Sequence, residues 1–138
     1  MIRYIERPAI DSYWPIVSGH IERAIEHACG ELELQDIYQK LHSEEMGLVT
    51  ITENEGITAA CVVEFIDYPQ KYALRVVALG GENMKSWLPE LLEFLDRWAE
   101  ENDMDRIEQM GRDGWIRVLN EYGYQKRYTF MTKELNHG

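Results

Sequence analysis

The sequence predicts an α/β fold of the α+β class, with elements in the order β-α-α-β-β-β-α-β-α-β around a central mixed, mainly antiparallel sheet. Three observations carry that expectation. Apolar residues switch between helical and strand spacing along the whole chain, with no low-complexity linker and no internal repeat. A run over residues 57–66 is apolar on both alternating sets except at Glu64, the mark of a central strand. Trp87, Leu88, Leu91, Leu92, Leu95, Trp98 and Ala99 form the stripe of a strongly amphipathic helix.

Taken in order, Ile2, Tyr4 and Ile5 suggest a short opening strand that Pro8 breaks. Asp11 or Ser12 can cap a helix striped by Trp14, Val17, Ile21, Ala24, Ile25 and Ala28, with Pro15 in its first turn and Gly30 as its stop. Leu34, Ile37, Tyr38 and Leu41 mark a second helix, after which Gly47 leads into a strand through Leu48, Val49 and Ile51. Asn54-Glu55-Gly56 and then Tyr68-Pro69 read as turns, so that strand, residues 57–66 and residues 72–79 are expected to form an antiparallel meander. Gly80-Gly81 is expected to end it. Pro89 is comfortable only in a first helical turn, so the next helix either starts near Ser86 or carries the proline well past its start at Met84. Residues 105–109 read as a short strand and residues 111–122 as a helix striped by Trp115, Val118, Leu119 and Tyr122. Gly123 reads as its left-handed stop and residues 124–135 as a closing strand.

A length of 138 residues with 45% hydrophobic content suits a single domain, residues 1–138, built on one core. No signal-like leader and no apolar stretch near the roughly 20 residues that span a bilayer is present, so a cytoplasmic location without membrane association is expected. Cys29 and Cys61 sit among apolar residues, which favours buried free thiols over a disulfide. The formal net charge of −11 repels a phosphate backbone and argues against nucleic-acid binding. It suits a cationic substrate such as an amine, and equally keeps a small protein soluble. His20 and His27 lie two helical turns apart, about 10 Å along the axis, too far to share a metal ion. No metal site is expected.

The element order, the glycine pair between the fourth strand and third helix, and the segment Leu119-Asn120-Glu121-Tyr122-Gly123-Tyr124 together resemble the GNAT superfamily of N-acetyltransferases, over essentially the whole chain. The short acidic chain and its Gly-Gly-Glu-Asn-Met junction also resemble small acetyltransferase-like proteins of bacteriophages and prophages, which implies a bacterial or phage-infected host cytoplasm. The resemblance implies acetyl-CoA as co-substrate and an amine acceptor attacking the thioester directly. It places the cofactor site over Val77, Ala78, Leu79, Gly80, Gly81, Glu82, Asn83, Met84 and Lys85. Physics supports such a site independently, since unpaired N–H groups and the positive end of a helix dipole converge on an anion, and a glycine pair lets a phosphate come close.

The family pattern runs Gln or Arg, two residues, Gly, one residue, then Gly or Ala. With Gly81 at its first glycine, Ala78 and Asn83 occupy the other two places. Leu119 stands where many members carry a tyrosine acid, which leaves Tyr122 and Tyr124 beside the turn as substitutes, with Tyr122 also continuing the helical stripe. Glu64 is the candidate base, because it interrupts an apolar strand face. The competing reading is a structural ion pair with Arg75, expected diagonally across the neighbouring strand. Three function classes follow: an acyl-CoA-dependent N-acyltransferase, a catalytically inactive protein of this fold working by protein contact, and a domain that binds coenzyme A without turnover. A homodimer through the last strand, or another protein partner, is a further implication of the resemblance. Tyr124, Tyr128 and Phe130 on one strand face are equally explained by an ordinary core.

Overall fold

The computed structural model describes residues 1–26, 30–110 and 113–136. Strands β1 (Ile2–Ile5), β2 (Met46–Glu53), β3 (Gly56–Asp67), β4 (Tyr72–Gly81) and β5 (Arg106–Gln109) form one sheet in that order. Neighbours are antiparallel except for the parallel pair β4 and β5. Helices α1 (Ile10–Ile25) and α2 (Leu34–His42) pack on one face, and α3 (Met84–Glu101) and α4 (Asp113–Asn120) on the other. The α+β class, the mixed sheet and the meander of β2, β3 and β4 are as the sequence led one to expect.

The two-sided apolar run explains why β3 sits at the centre. Ala59, Cys61 and Val63 face the α3 side, while Ala60 and Val62 face α1 and α2, and all five are fully buried. The α3 stripe supplies the other half of the larger core through Trp87, Leu88, Leu91, Leu92, Leu95 and Ala99. Helix α2 is closed at its start by a reciprocal capping box between Glu33 and Asp36.

Several boundaries differ from expectation, each for an identifiable reason. A 3-10 turn over Arg7–Ala9 brings the chain straight into α1 at Ile10, so neither Asp11 nor Ser12 is its cap. Asp11 instead accepts hydrogen bonds from Tyr38 Oη at 2.6 Å and His42 Nε2 at 3.0 Å, joining α1 to α2. Pro15 is then the sixth helical residue rather than part of the first turn, and it removes the donor that the Asp11 carbonyl would otherwise meet. The expected contributions of His27, Ala28 and Cys29 lie outside the described residues.

β4 continues through Gly80 and Gly81 instead of ending before them. A side-chain carbon at Gly80 would stand 2.4 Å from the His20 carbonyl oxygen of α1, and one at Gly81 2.2 Å from Ala59 Cβ of β3. The glycine pair is therefore demanded by packing of β4 against its neighbours. Helix α3 starts at Met84, after Asn83 in the left-handed region at φ 58°, so Pro89 falls past the first turn. Helix α4 is described over Asp113–Asn120 and ends before Tyr122, the end expected for it, while Gly111 and Arg112, its expected start, lie outside the described residues. Gly123, at φ 89°, supplies the expected left-handed stop.

The largest correction concerns the closing strand. Residues 124–136 pair with no strand among the described residues, and Tyr128, Phe130, Met131 and Leu135 are strongly exposed. The four-residue strand β5 pairs with β4 alone among the described residues, so the expected closing strand finds no partner there. Tyr122, placed by the sequence on the α4 stripe, is exposed because the helix ends before it.

Candidate functional site

β4 is held by β5 only from Ala73 to Val76, opposite Arg106 to Gln109. A register shift between Val62 and Val63 of β3 falls at this level, the kind of bulge that re-aims a strand. Val77 is the extra residue at that shift, and from Ala78 to Gly81 the strand keeps its β3 partner and has no partner on the other side among the described residues. The sheet thus forks. Ala78, where the family pattern places a polar residue, is buried against α1 and α2, which explains a small apolar side chain there.

The open edge leads to the amino end of α3. Glu82 N–H is committed to the Thr58 carbonyl at 3.0 Å, and the Glu82 carbonyl accepts from Trp87 Nε1 at 2.6 Å, so the junction is pinned to both β3 and the core. Met84 and Lys85 contribute first-turn N–H groups that have no intrahelical acceptor. Glu53, Asn54, Asn83, Met84, Lys85 and Ser86 line an open recess around them. Lys85 brings a cation to that recess. Two carboxylates oppose it: Glu53, whose Oε2 accepts from Ser86 Oγ at 2.7 Å, and Glu82 beside it in sequence.

At the closed end of the fork lies a ladder of charges. Glu64, Arg75 and Glu108 occupy one row across β3, β4 and β5, so Arg75 stands directly opposite Glu64 rather than diagonal to it. Glu64 lies 3.9 Å from Arg75 and 3.8 Å from Lys40 of α2. Glu108 accepts from Arg75 Nε at 3.1 Å, Tyr68 Oη at 3.0 Å and Arg106 Nε at 2.8 Å. Sequence reasoning found Glu64 and Arg75 but missed Lys40, Tyr68, Arg106 and Glu108. The alternation Arg106-Ile107-Glu108 was the available sign, since it puts both charges on one face of a short strand.

Burial raises the Glu108 carboxyl, but hydrogen bonds from Tyr68, Arg106 and Arg75 outweigh it and hold the group below its ordinary 4.5. A carboxyl whose folded value is depressed contributes stability that is fully present above the unfolded value and is lost as pH falls through the lowered folded value. Glu108→Gln is accordingly expected to flatten the fall in melting temperature below pH about 4.5. Melts of both proteins from neutral to acid pH check this, and parallel curves would contradict it.

Tyr124 is the other notable residue. Its ring packs on the core beneath α3 and α4, and its hydroxyl is the one buried side-chain polar atom without a hydrogen-bond partner among the described residues. Burial, then the proximity of Asp96 and Cys61, holds the phenol above its usual range. Cys61 pairs in register with Leu79, so this hydroxyl lies on the α3 side of the sheet near the open edge. Burial also pushes the Cys61 thiol up to about 12. The peptide carrying Cys61 should therefore stay unlabelled by iodoacetamide at pH 8 until denaturant is added, as read by mass spectrometry. Labelling of the native protein at the rate of a free thiol would contradict that burial. Among the described residues no group of three His, Cys, Asp or Glu side chains could hold a metal ion. No described helix is long and apolar enough to cross a membrane.

Neither a family model nor a curated protein matches the sequence. Solved structures do match. A predicted acetyltransferase from Clostridium acetobutylicum, crystallised with acetyl-CoA, is 17% identical with a TM-score of 0.73, over 100% of this chain and 99% of its own. Ribosomal-protein-alanine N-acetyltransferase from Brucella melitensis biovar Abortus 2308 is 10% identical with a TM-score of 0.71, over 98% and 99%. Glucosamine-6-phosphate N-acetyltransferase from Arabidopsis thaliana is 13% identical with a TM-score of 0.68, over 99% and 98%. At such identities the likeness is one of fold, and the fold is that of these acetyltransferases.

Proposed function

We propose that the chain is an acetyl-CoA-dependent N-acyltransferase of GNAT type acting on an amine. One observation carries the reading: β4 parts from β5 after Val76 and runs to the amino end of α3 with its β5-side edge open among the described residues. The extended amide-bearing arm of acetyl-CoA can complete that edge from Val77 to Gly81 as an added strand would. Its pyrophosphate then meets the Met84 and Lys85 N–H groups, the helix dipole and the Lys85 ammonium. A structural neighbour crystallised with acetyl-CoA supports acetyl-CoA as the co-substrate.

In the reaction the amine nitrogen bonds to the thioester carbon and the carbon–sulfur bond breaks. One proton leaves the acceptor ammonium and one reaches the departing sulfur. Tyr124 is assigned the second role in place of the exposed Tyr122, because its hydroxyl is protonated, buried and free of any partner among the described residues. Glu64 is assigned the first, in the row just behind the last β4–β5 pair, with the acceptor ammonium displacing Lys40 while Arg75 stays opposite it.

Tyr124→Phe is expected to lower turnover about 100-fold, measured as thiol release across a panel of amines, while leaving the melting temperature equal or higher. The fold gains because an unsatisfied hydroxyl is removed. Unchanged turnover would remove Tyr124 from the mechanism. Glu64→Gln tests the base in the same assay.

A second reading, binding by protein contact or of coenzyme A without turnover, is favoured by Glu53 and Glu82 at the anion end and by Leu119 at the family's acid position. The phage or prophage resemblance belongs with it. Binding of acetyl-CoA without thiol release for any amine would select it.

A further inference from the structure

Lys40 already stands where an acceptor amine would have to sit. Its Nζ is 3.8 Å from Glu64 Oε2 and 3.9 Å from Glu45 Oε2, beyond hydrogen-bond length, so charge alone holds it there. Among the described residues no other lysine takes part in an ion pair, and Lys71, Lys85, Lys126 and Lys133 are exposed while Lys40 is half-buried. We propose that Lys40 is an acceptor within the chain itself, acetylated on Nζ from acetyl-CoA bound in the fork. The inference rests on the acetyltransferase reading and adds to it a modification site on the chain.

The placement follows from how α2 packs. Ile37 and Leu41 are buried against the sheet, and Lys40, beside Leu41 in the last turn, extends its arm to the row in which Met46 pairs with Glu64. In the same row Glu64 pairs with Arg75, one residue before Val76, where the last β4–β5 pair closes the fork. Neighbouring strands lie about 4.8 Å apart, so an amine at Glu64 is about one strand from β4, a step that the flexible four-carbon arm of a lysine spans.

The chemistry balances without a further reactant. Lys40 Nζ bonds to the thioester carbon, the carbon–sulfur bond breaks, and the products are an amide on Lys40 and free thiol. Of the two protons the nitrogen gives up, one leaves through Glu64 to water, and the other replaces the one that Tyr124 hands to the sulfur. The amide carries no charge, so Glu45 and Glu64 lose the cation between them, and with it the one that a free acceptor must displace.

The test compares two acetyl donors on the purified full chain, with each lysine's label read by peptide mass spectrometry. Acetic anhydride needs no binding site and is expected to label the exposed lysines first and Lys40 last. Acetyl-CoA is expected to reverse that order, with Lys40 about tenfold or more ahead of any exposed lysine. At saturating acetyl-CoA the fraction labelled per unit time should not change on dilution of the protein, as for transfer within one chain. In Glu64→Gln, with folding verified by its melting temperature, labelling of Lys40 should fall to the level of the exposed lysines. The order of labelling in the parent is decisive by itself: the same order with both donors would overturn the proposal. A rate that falls on dilution, or Lys40 labelling that persists in Glu64→Gln, would overturn it equally. Thiol release to added amines with Lys40 unmarked would overturn it and leave the acetyltransferase reading standing, whereas absence of acetyl-CoA binding would end both.

Discussion

Trp87→Ala is expected to lower stability by about 4 kcal/mol, the largest loss from any single truncation in this chain. Trp87 is 2% exposed and heads the fully buried side chains by volume. It fills the space between the first turn of α3 and the sheet, so its removal leaves both a cavity and lost burial. It also releases the Glu82 carbonyl from the indole N–H that holds it at 2.6 Å, leaving the junction at the end of the open edge tied to β3 alone. A chain of this size should lose roughly 15 °C in melting temperature. Urea unfolding measures the loss, and a change below about 2 kcal/mol would mean that the indole is not a core residue.

Gly81→Ala is expected to cost about 3 kcal/mol, although it adds a single methyl group. Its Cβ would lie 2.2 Å from Ala59 Cβ and 2.5 Å from both Ala59 Cα and the Thr58 oxygen, at a φ of 154° that disfavours a side chain in any case. Two of those neighbours are backbone atoms, so no rotamer change relieves the clash and β4 must move off β3. Loss of acetyl-CoA binding in a Gly81 variant would therefore report a displaced strand, not a blocked phosphate. Lys85, exposed at the rim of the recess, is the cleaner probe. A Gly81→Ala protein with the parent's melting temperature would contradict this reading of the glycine pair.

The parts of the fold legible in the sequence are those fixed by burial. The two-sided run of β3, the stripe of α3 and the Glu64 interruption each reflect a face that a neighbour must cover, and periodicity reports that directly. The misplaced boundaries lie where a local rule was overridden. Pro15 and Pro89 sit inside helices because each removes one hydrogen bond, while Val17 and Ile21, or Trp87 and Leu88, bury their neighbouring turns. Gly80 and Gly81 announced a close approach, but only the packed sheet says that His20 and Ala59 are what approaches.

The charge ladder needed long-range information. Glu64 met Arg75 squarely because the turn closes through Tyr68 N–H to the Lys71 carbonyl at 2.8 Å, setting a register that the sequence placed one step away. Glu108 and Arg106 joined them only through the parallel pairing of β4 and β5. Residues 124–136 carry a strand's alternation that no pairing among the described residues uses, so periodicity alone gave an element the fold does not form there.

The central claim is that the fork between β4 and β5 binds acetyl-CoA with its pyrophosphate at the start of α3, and calorimetric titration of the purified protein with acetyl-CoA tests it most directly. Run beside Lys85→Glu, the account predicts micromolar binding by the parent and about tenfold or greater weakening in a variant that melts at the same temperature. Absence of binding up to millimolar acetyl-CoA, or equal affinity in the two proteins, would contradict it.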